Sequence, residues 1–274
     1  MKLKKPLVRR VKKLKFKRET YKSTLNNFAS LVCFILLWEL LSIVVSSPFF
    51  PGPLDVIKAF LVLLVEGDIE GISLLSHITA SVSRVLLGFS LAVVTGIPLG
   101  LVMGLRRTVY GSVKSILEPL RFIPPIAWIP LAIILLTGYA RYMLIIWLGA
   151  FFPVLLNTIT GVQTTNPVLV DVAKVFGADK KTIIMKIVFS NALPEIFAGM
   201  RIGLGVGWMC IVAAEMIGGE MAGLGWLILK YGELLDVASM VVGMVLIGVI
   251  GLLMNEAFLR AEKNLFRWRK EVTL

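Results

Sequence analysis

Long apolar runs separated by short polar breaks dominate the pattern along this chain. A bilayer core of about 30 Å requires about 20 apolar residues in a helix. Runs that meet or approach this length predict six spans, which are Asn27 to Ser47, His77 to Gly104, Phe122 to Thr137, Tyr142 to Gly161, Ile196 to Gly218 and Val237 to Phe258. The pattern therefore predicts an all-α polytopic membrane protein.

Two of the apolar runs depart from the simple pattern. The third span is short and contains Pro124, Pro125 and Pro130. Proline is tolerated in a membrane helix when neighbouring groups satisfy the freed carbonyls, so this run is retained as a span. The run from Leu54 to Val65 would form a helix of only about 18 Å. It is predicted to be an amphipathic helix lying at the outer membrane surface.

The distribution of positive charge predicts the orientation. The chain has 29 Lys and Arg against 17 Asp and Glu, and its first segment, MKLKKPLVRRVKKLKFKRETYK, is strongly basic. With six spans and a cytoplasmic N-terminus, most other basic residues also fall on the cytoplasmic side, as the positive-inside rule requires. The expected organisation is a basic tail (1–26), a membrane domain (27–260) with a cytoplasmic insert at about 164–194, and a basic C-terminal tail (261–274).

Composition narrows the possible functions. Hydrophobic residues make up 57% of the chain, above the roughly 45–50% of soluble domains. The partner of the basic tail is therefore expected to be the lipid bilayer and not nucleic acid, for which no motif is present. Cys33 and Cys210 fall in apolar runs and are interpreted as small buried hydrophobes. The chain has a single histidine, His77, which is predicted to be interfacial. A single histidine cannot form a multi-histidine metal site, so such sites are excluded.

Glycines repeat at intervals of four in two of the predicted spans. These residues are Gly96, Gly100 and Gly104 in the second span, and Gly199, Gly203 and Gly207 in the fifth. Small residues at this spacing lie on one face and allow close helix packing in lipid. Simple packing is the first interpretation, and sliding of helices during transport is the second.

The predicted cytoplasmic insert contains the charged stretch DVAKVFGADKKTIIMKIVFSNALP. Asn166 and Pro167 form a helix start, Gly177 suits a helix C-terminus, and Asp179 can cap a second helix. Apolar residues recur at helical spacing on both sides of the glycine. The insert is therefore either an elbow lying on the membrane surface or a helix that docks in the groove of a cytoplasmic partner.

The same stretch resembles the cytoplasmic signature of the permease subunits of ATP-binding-cassette importers. Asp171 stands at the Glu of that signature, Ala173, Gly177 and Ile187 match it, and Ala178 follows the glycine, whereas the residues at 172, 189 and 190 depart from it. Further stretches resemble the nitrate, sulfonate and taurine branch of this family. They are SVSRVLLGF, GIPLGLVMG, FFPVLLNTITGV, AGMRIGLGVGW and GLGW.

The resemblance implies a permease subunit that moves a small solute, such as nitrate, a sulfonate, taurine or bicarbonate, across the cell membrane. It implies a dimer with a second permease copy, cytoplasmic ATPase subunits that bind ATP and Mg, and an extracytoplasmic substrate-binding protein. In this family the insert couples the ATPase to the spans. Consistent with a partner ATPase, the chain has no G-x-x-x-x-G-K-[ST] phosphate loop of its own.

Polar groups inside the predicted spans are further candidates, since burying an ionisable group in lipid is costly. We expect Arg84 to pair with Glu39 or Glu215, either as a structural pair or as an anion contact in the pathway. Asn157 could line a path or hydrogen-bond between helices. An ion-coupled secondary transporter using Glu39 and Glu215 is the alternative function, and an intramembrane enzyme is weaker because no nucleophile and base pair, or metal cluster, appears.

Overall fold

The computed structural model describes residues 26–266, which form helices and no strand, so the all-α prediction is confirmed. Helix α1 covers Asn26–Val45. The other elements are α2 (Pro53–Val65), α3 (Leu74–Leu105), α4 (Arg107–Phe122), a 3₁₀ turn (Pro125–Trp128), α5 (Ile129–Leu135), α6 (Tyr139–Gln163), α7 (Pro167–Val175), α8 (Lys180–Thr182), a π-helical segment (Ile183–Val188), α9 (Phe189–Ile217), α10 (Leu224–Glu233) and α11 (Val237–Leu265).

Five helices in the described part of the chain are long and apolar enough to cross a membrane, and they correspond to five of the six predicted spans. The longest is Lys180–Ile217, in which α8, the π-helical segment and α9 are continuous. Helix α11 runs to Leu265, past the predicted domain boundary at residue 260. The basic N-terminal tail and the last eight residues lie outside the described residues.

The third predicted span, Phe122 to Thr137, contains the 3₁₀ turn and α5, and a sharp bend separates these from α4. Helix α4 ends at Phe122, and the next helical piece, Pro125–Leu135, is bent away by 89°. Ile123 and Pro124 between them are extended, with ψ of 114° and 135°. Each precedes a proline, which disfavours helical geometry at the preceding residue and supplies no N–H of its own. The described residues therefore contain five candidate spans, or six if this bent pair forms one span.

Helix α6 lies at the centre of the bundle, and the glycine face of α3 packs against it. A Cβ placed on Gly100 would lie 2.6 Å from the Cβ of Thr158, and one on Gly104 would lie 2.6 Å from the Cβ of Val162. Residue numbers rise together along this contact, so α3 and α6 run in the same direction. Only glycine allows this approach, as expected for close packing in lipid.

The second glycine face, on α9, packs against the same helix. Gly199 lies against Asn157, and Gly207 lies against Ile146. Along this contact the residue numbers of α9 rise while those of α6 fall, so α9 runs antiparallel to α6. The packing interpretation of both glycine repeats is therefore confirmed, while sliding during transport stays a prediction.

Helix α1 packs against little of the described chain. It is joined to the following segment by Trp38, whose indole N–H donates to Pro51 O at 3.0 Å. The interpretation of Cys33 as buried is wrong, because α1 leaves it exposed, whereas Cys210 is buried against Gly149. The short helix predicted at 54–65 is present as α2.

Candidate functional site

The predicted insert is a helix, a glycine corner and a second helix. Asn166 caps α7 by accepting a hydrogen bond from the Val168 N–H at 3.0 Å. At the other end Gly177 has a φ of +78°, which side chains rarely adopt. Its N–H donates to Lys174 O, and the Ala178 N–H donates to Ala173 O, both at 2.9 Å. This pair of bonds is a Schellman motif, so the corner has a fixed geometry.

Asp179 begins the second helix of the insert. Its side chain accepts from the Thr182 N–H at 3.3 Å. Hydrogen bonds from Thr182 hold the pKa of Asp179 below its ordinary value. The long helix to Ile217 therefore has a charged cap at the point where it leaves the corner.

The two apolar stripes of the insert have different environments. The stripe of the second helix is partly covered, and Val188 is buried in a cluster with Val162, Ala192 and Ile196. The stripe of α7 is uncovered: Val175 is 86% exposed and Phe176 is 85% exposed. The rest of this stripe, which is also exposed, consists of Val168, Leu169 and Val172. A contiguous exposed apolar face of this kind is typical of a contact surface.

The residues predicted to couple to an ATPase are spread around this corner. Asp171 is exposed and pairs with Lys174, also exposed, at 3.0 Å. Ala173 and Ala178 are half-buried beneath the corner, and Ile187 is half-buried on the second helix.

At the opposite end of the bundle, Arg84 lies in a buried ion-pair cluster. It contacts Glu215 at 2.7 Å and Glu220 at 2.5 Å, and it donates to Ala222 O at 2.6 Å. Arg84 and Glu215 are each 2% exposed. Arg84 therefore pairs with Glu215, one of the two acids expected from the sequence, and ties α3 to α9 and to the loop after α9.

Ser81 completes the contacts of the Glu215 carboxylate. Its hydroxyl oxygen lies 2.9 and 2.8 Å from the two carboxylate oxygens and accepts from the Leu224 N–H at 2.9 Å. The Gly225 N–H also donates to Glu215 at 3.0 Å. A buried carboxylate with a cation and several donors is a satisfied group, so the cluster joins the start of α10 to α3 and α9.

His77 belongs to the same end of the bundle and is buried within the protein. It is 0% exposed. Its Nε2 lies 3.1 Å from Asp68 Oδ2, and its Nδ1 lies 3.1 Å from the Gly223 N–H nitrogen. The loop before α3 and the loop after α9 close over the ring and remove it from contact with solvent.

The other two polar candidates lie away from this cluster. Glu39 accepts from the Leu54 N–H at 3.3 Å and so joins α1 to α2. Asn157 donates to Pro153 O at 2.8 Å in its own helix and lies at the contact with Gly199.

Two residues that contact Arg84 or Glu215 were not predicted from the sequence. Ser81 lies three residues before Arg84, a spacing that places both on one helix face and could have indicated it. Glu220 lies in a loop, where no periodicity marks it.

The chain matches one family model and is similar to several known proteins. Residues 96–269 match the family model described as binding-protein-dependent transport system inner membrane component. A protein of Methanocaldococcus jannaschii named as an ABC transporter permease is 38% identical, over 86% of this chain and 89% of its own length. The taurine transport system permease protein of Escherichia coli K12 is 34% identical over 86% of each chain. The bicarbonate transport system permease protein of Synechococcus elongatus is 31% identical over 88% of this chain and 89% of its own.

Proposed function

Because this chain belongs to the family of binding-protein-dependent transport system inner membrane components, we propose that it forms the pathway for a small anion and couples to its ATPase through α7. The chain is the membrane subunit of an ATP-binding-cassette importer and a multi-pass protein of the cell membrane. The family is one of transport components, and it implies ATPase and substrate-binding protein partners.

The observation that carries the coupling proposal is the uncovered apolar face of α7. Val175 and Phe176 are more than four-fifths exposed at a corner that is rigidly capped on both sides. An amphipathic helix that inserts apolar anchors into a groove is a recurrent docking mode. In the proposed assembly the face consisting of Val168, Leu169, Val172, Val175 and Phe176 enters the ATPase, and the continuous helix Lys180–Ile217 transmits its movement.

The remaining parts of the assembly follow from the same proposal. The α7 end of the bundle faces the cytoplasm, and the Arg84 cluster faces the outside. ATP and Mg are bound by the ATPase, and this chain itself catalyses no reaction. A second, identical permease copy completes the pathway.

The substrate class rests on relatives named for taurine, nitrate and bicarbonate transport. These substrates share a small size and an anionic group. We therefore assign a small anion to this chain, with Arg84 as a structural residue: its guanidinium faces Glu215 and Glu220 and is shared with a backbone carbonyl.

The test is reconstitution of the affinity-purified complex in proteoliposomes with the proteins that accompany it. Uptake of nitrate, taurine and bicarbonate is measured with and without ATP. Uptake that requires ATP and the binding protein is the expected result. Gradient-driven uptake by the chain alone, without ATP, would replace the proposal by an ion-coupled secondary transporter.

A further inference from the structure

The helix that follows the glycine corner contains an irregular segment near its start. Lys180–Ile217 is continuous, but Ile183–Val188 within it is π-helical. At the end of this segment the Phe189 N–H donates to Ile184 O, five residues back instead of four. The backbone on either side is α-helical, with φ and ψ of −60° and −44° at Thr182. The segment therefore holds more residues per turn than its neighbours without interrupting the helix.

A π-helical turn inside an α-helix is rare, and such turns occur frequently at functional sites. The six residues of this one, IIMKIV, include neither proline nor glycine. No residue within the segment therefore prevents the ordinary α-helical hydrogen bonds. Both geometries are open to this stretch of chain, and its surroundings decide between them.

Beyond the segment, α9 is held against α6 by its glycine face. A Cβ on Gly199 would lie 2.6 Å from the Cβ of Asn157, and one on Gly203 would lie 2.9 Å from Ala150 O. Contacts this close interlock the two helices. They favour movement of α9 together with α6 and not along it.

The π-helical segment itself is packed more loosely. Val188 is its one buried residue, while Met185 and Lys186 are exposed. The segment packs in a small apolar cluster that includes Val162 at the end of α6 and Val170 on α7. A change of helical geometry here would disrupt few contacts, and α7 would move with the segment because it packs against the same cluster.

We propose that Ile183–Val188 is a hinge, and that its π-helical hydrogen bonds are exchanged for α-helical ones when the ATPase docked on α7 binds ATP. The corner at Gly177 is fixed by its two hydrogen bonds, and α9 is fixed by its glycine face, so the helix between them yields at this segment. One residue of an α-helix corresponds to about 100° of rotation and about 1.5 Å of rise, which sets the scale of the movement. This inference rests on the proposed function and adds to it the place where the transmitting helix changes shape.

The test uses a pair of histidines that can share a zinc ion when the turn is π-helical. Lys181 and Lys186 are both exposed and five residues apart, so Lys181→His plus Lys186→His places two zinc ligands on neighbouring positions of a π turn. In an α-helix, residues five apart point about 140° away from each other and cannot share one ion. The chain's single histidine, His77, is 0% exposed and does not compete.

The complex is reconstituted in proteoliposomes, and ATP-dependent uptake of nitrate, taurine and bicarbonate is measured with and without zinc. Without zinc the double variant should match the parent, because both positions are exposed. Zinc at about a hundred times its Kd favours the π geometry by about a hundredfold, so the uptake rate should fall by at least about tenfold. Removal of zinc by a chelator, followed by fresh Mg, should restore uptake, and the ATPase should stay bound throughout.

The matched control is Lys114→His plus Glu118→His on α4. These two residues are exposed, lie four apart in an α-helix and already form an ion pair at 3.5 Å. Two histidines at this spacing bind zinc on one helix face. The control variant should therefore bind zinc without a change in uptake. The single variants Lys181→His and Lys186→His should show no zinc effect.

Three results would overturn the inference. Failure of the Lys181 and Lys186 double variant to bind zinc, while the control binds it, would show that the turn is not π-helical in the complex. Zinc binding with unchanged uptake would show that transport does not require the turn to change. Release of the ATPase by zinc, or loss of uptake without zinc, would assign the effect to the docking surface and not to a hinge.

Uptake by the parent complex separates this inference from the proposed function. ATP-dependent uptake by the parent leaves the proposed function intact whatever zinc does to the variant. Its absence in the parent counts against the proposed function itself.

Discussion

The two ends of the bundle differ in the exposure of their charged and apolar side chains. At one end Arg84, Glu215 and Ser81 are buried, and the Glu215 carboxylate is satisfied by contacts within the chain. At the other end Asp171 and Lys174 form an exposed pair beside an uncovered apolar face. The first end makes its ion pairs within the isolated chain. The second end presents surface that a partner can cover.

This difference separates contacts that stabilise the fold of the chain from surface that is available for a partner. Removing one partner from a buried pair leaves an uncompensated charge, whereas removing one from an exposed pair changes little. Truncating an exposed apolar side chain affects a docked partner more than the fold. Four substitutions test whether the two ends behave in this way.

The largest effect is expected at the buried end. Arg84→Ala should lower the free energy of unfolding by about 3–5 kcal/mol, because Glu215 remains buried without its cation. Denaturant unfolding in detergent checks this value. Lys174→Ala is the control, and we expect a change of at most about 1 kcal/mol. Equal effects of the two substitutions would contradict the contrast between the ends.

Phe176→Ala should weaken binding of the ATPase without affecting the fold. Burial of a phenylalanine side chain at an interface contributes about 1.5–3 kcal/mol, which corresponds to about a tenfold to hundredfold change in Kd. Titration of the solubilised chain with the ATPase measures it. Val65→Ala, at an equally exposed residue on α2, should leave binding unchanged.

Gly177→Val should also impair docking, by straining the corner and not by a steric clash. A Cβ on Gly177 would have no atom within 4 Å, so the cost arises from the positive φ and is about 1–2 kcal/mol. Co-purification of the ATPase is the measurement, and normal recovery with the valine variant would refute the prediction. Gly177→Asn is the matched control, because asparagine tolerates this conformation better.

The smallest effect concerns the cap at Asp179. Because its pKa is lowered in the folded chain, its contribution is complete above the ordinary carboxyl pKa and is lost as the pH falls through the lowered value. Hydrogen exchange at the Thr182 amide should therefore show weaker protection at low pH than the pH dependence of exchange itself explains. Asp179→Asn keeps an acceptor at every pH and should remove this additional loss.

Much of the fold could be predicted because it depends on local sequence patterns. Five spans follow from the length of their apolar runs, and the corner at Gly177 follows from cap residues at fixed offsets, which need only neighbouring backbone. The glycine repeats predicted close packing, although they did not show that both faces meet α6.

The tertiary structure decided what depended on distant residues. Periodicity could not show that α3 and α6 run parallel, that Glu220 reaches Arg84 from a loop, or that two loops bury His77. It also did not show the 89° bend between α4 and the next helical piece, which the consecutive prolines favour. The sequence alone determined the membrane helices and their caps, since those depend on local chemistry. The choice of partner for Arg84 required the folded chain, because Glu215 and Glu220 are more than a hundred residues away from it in the sequence.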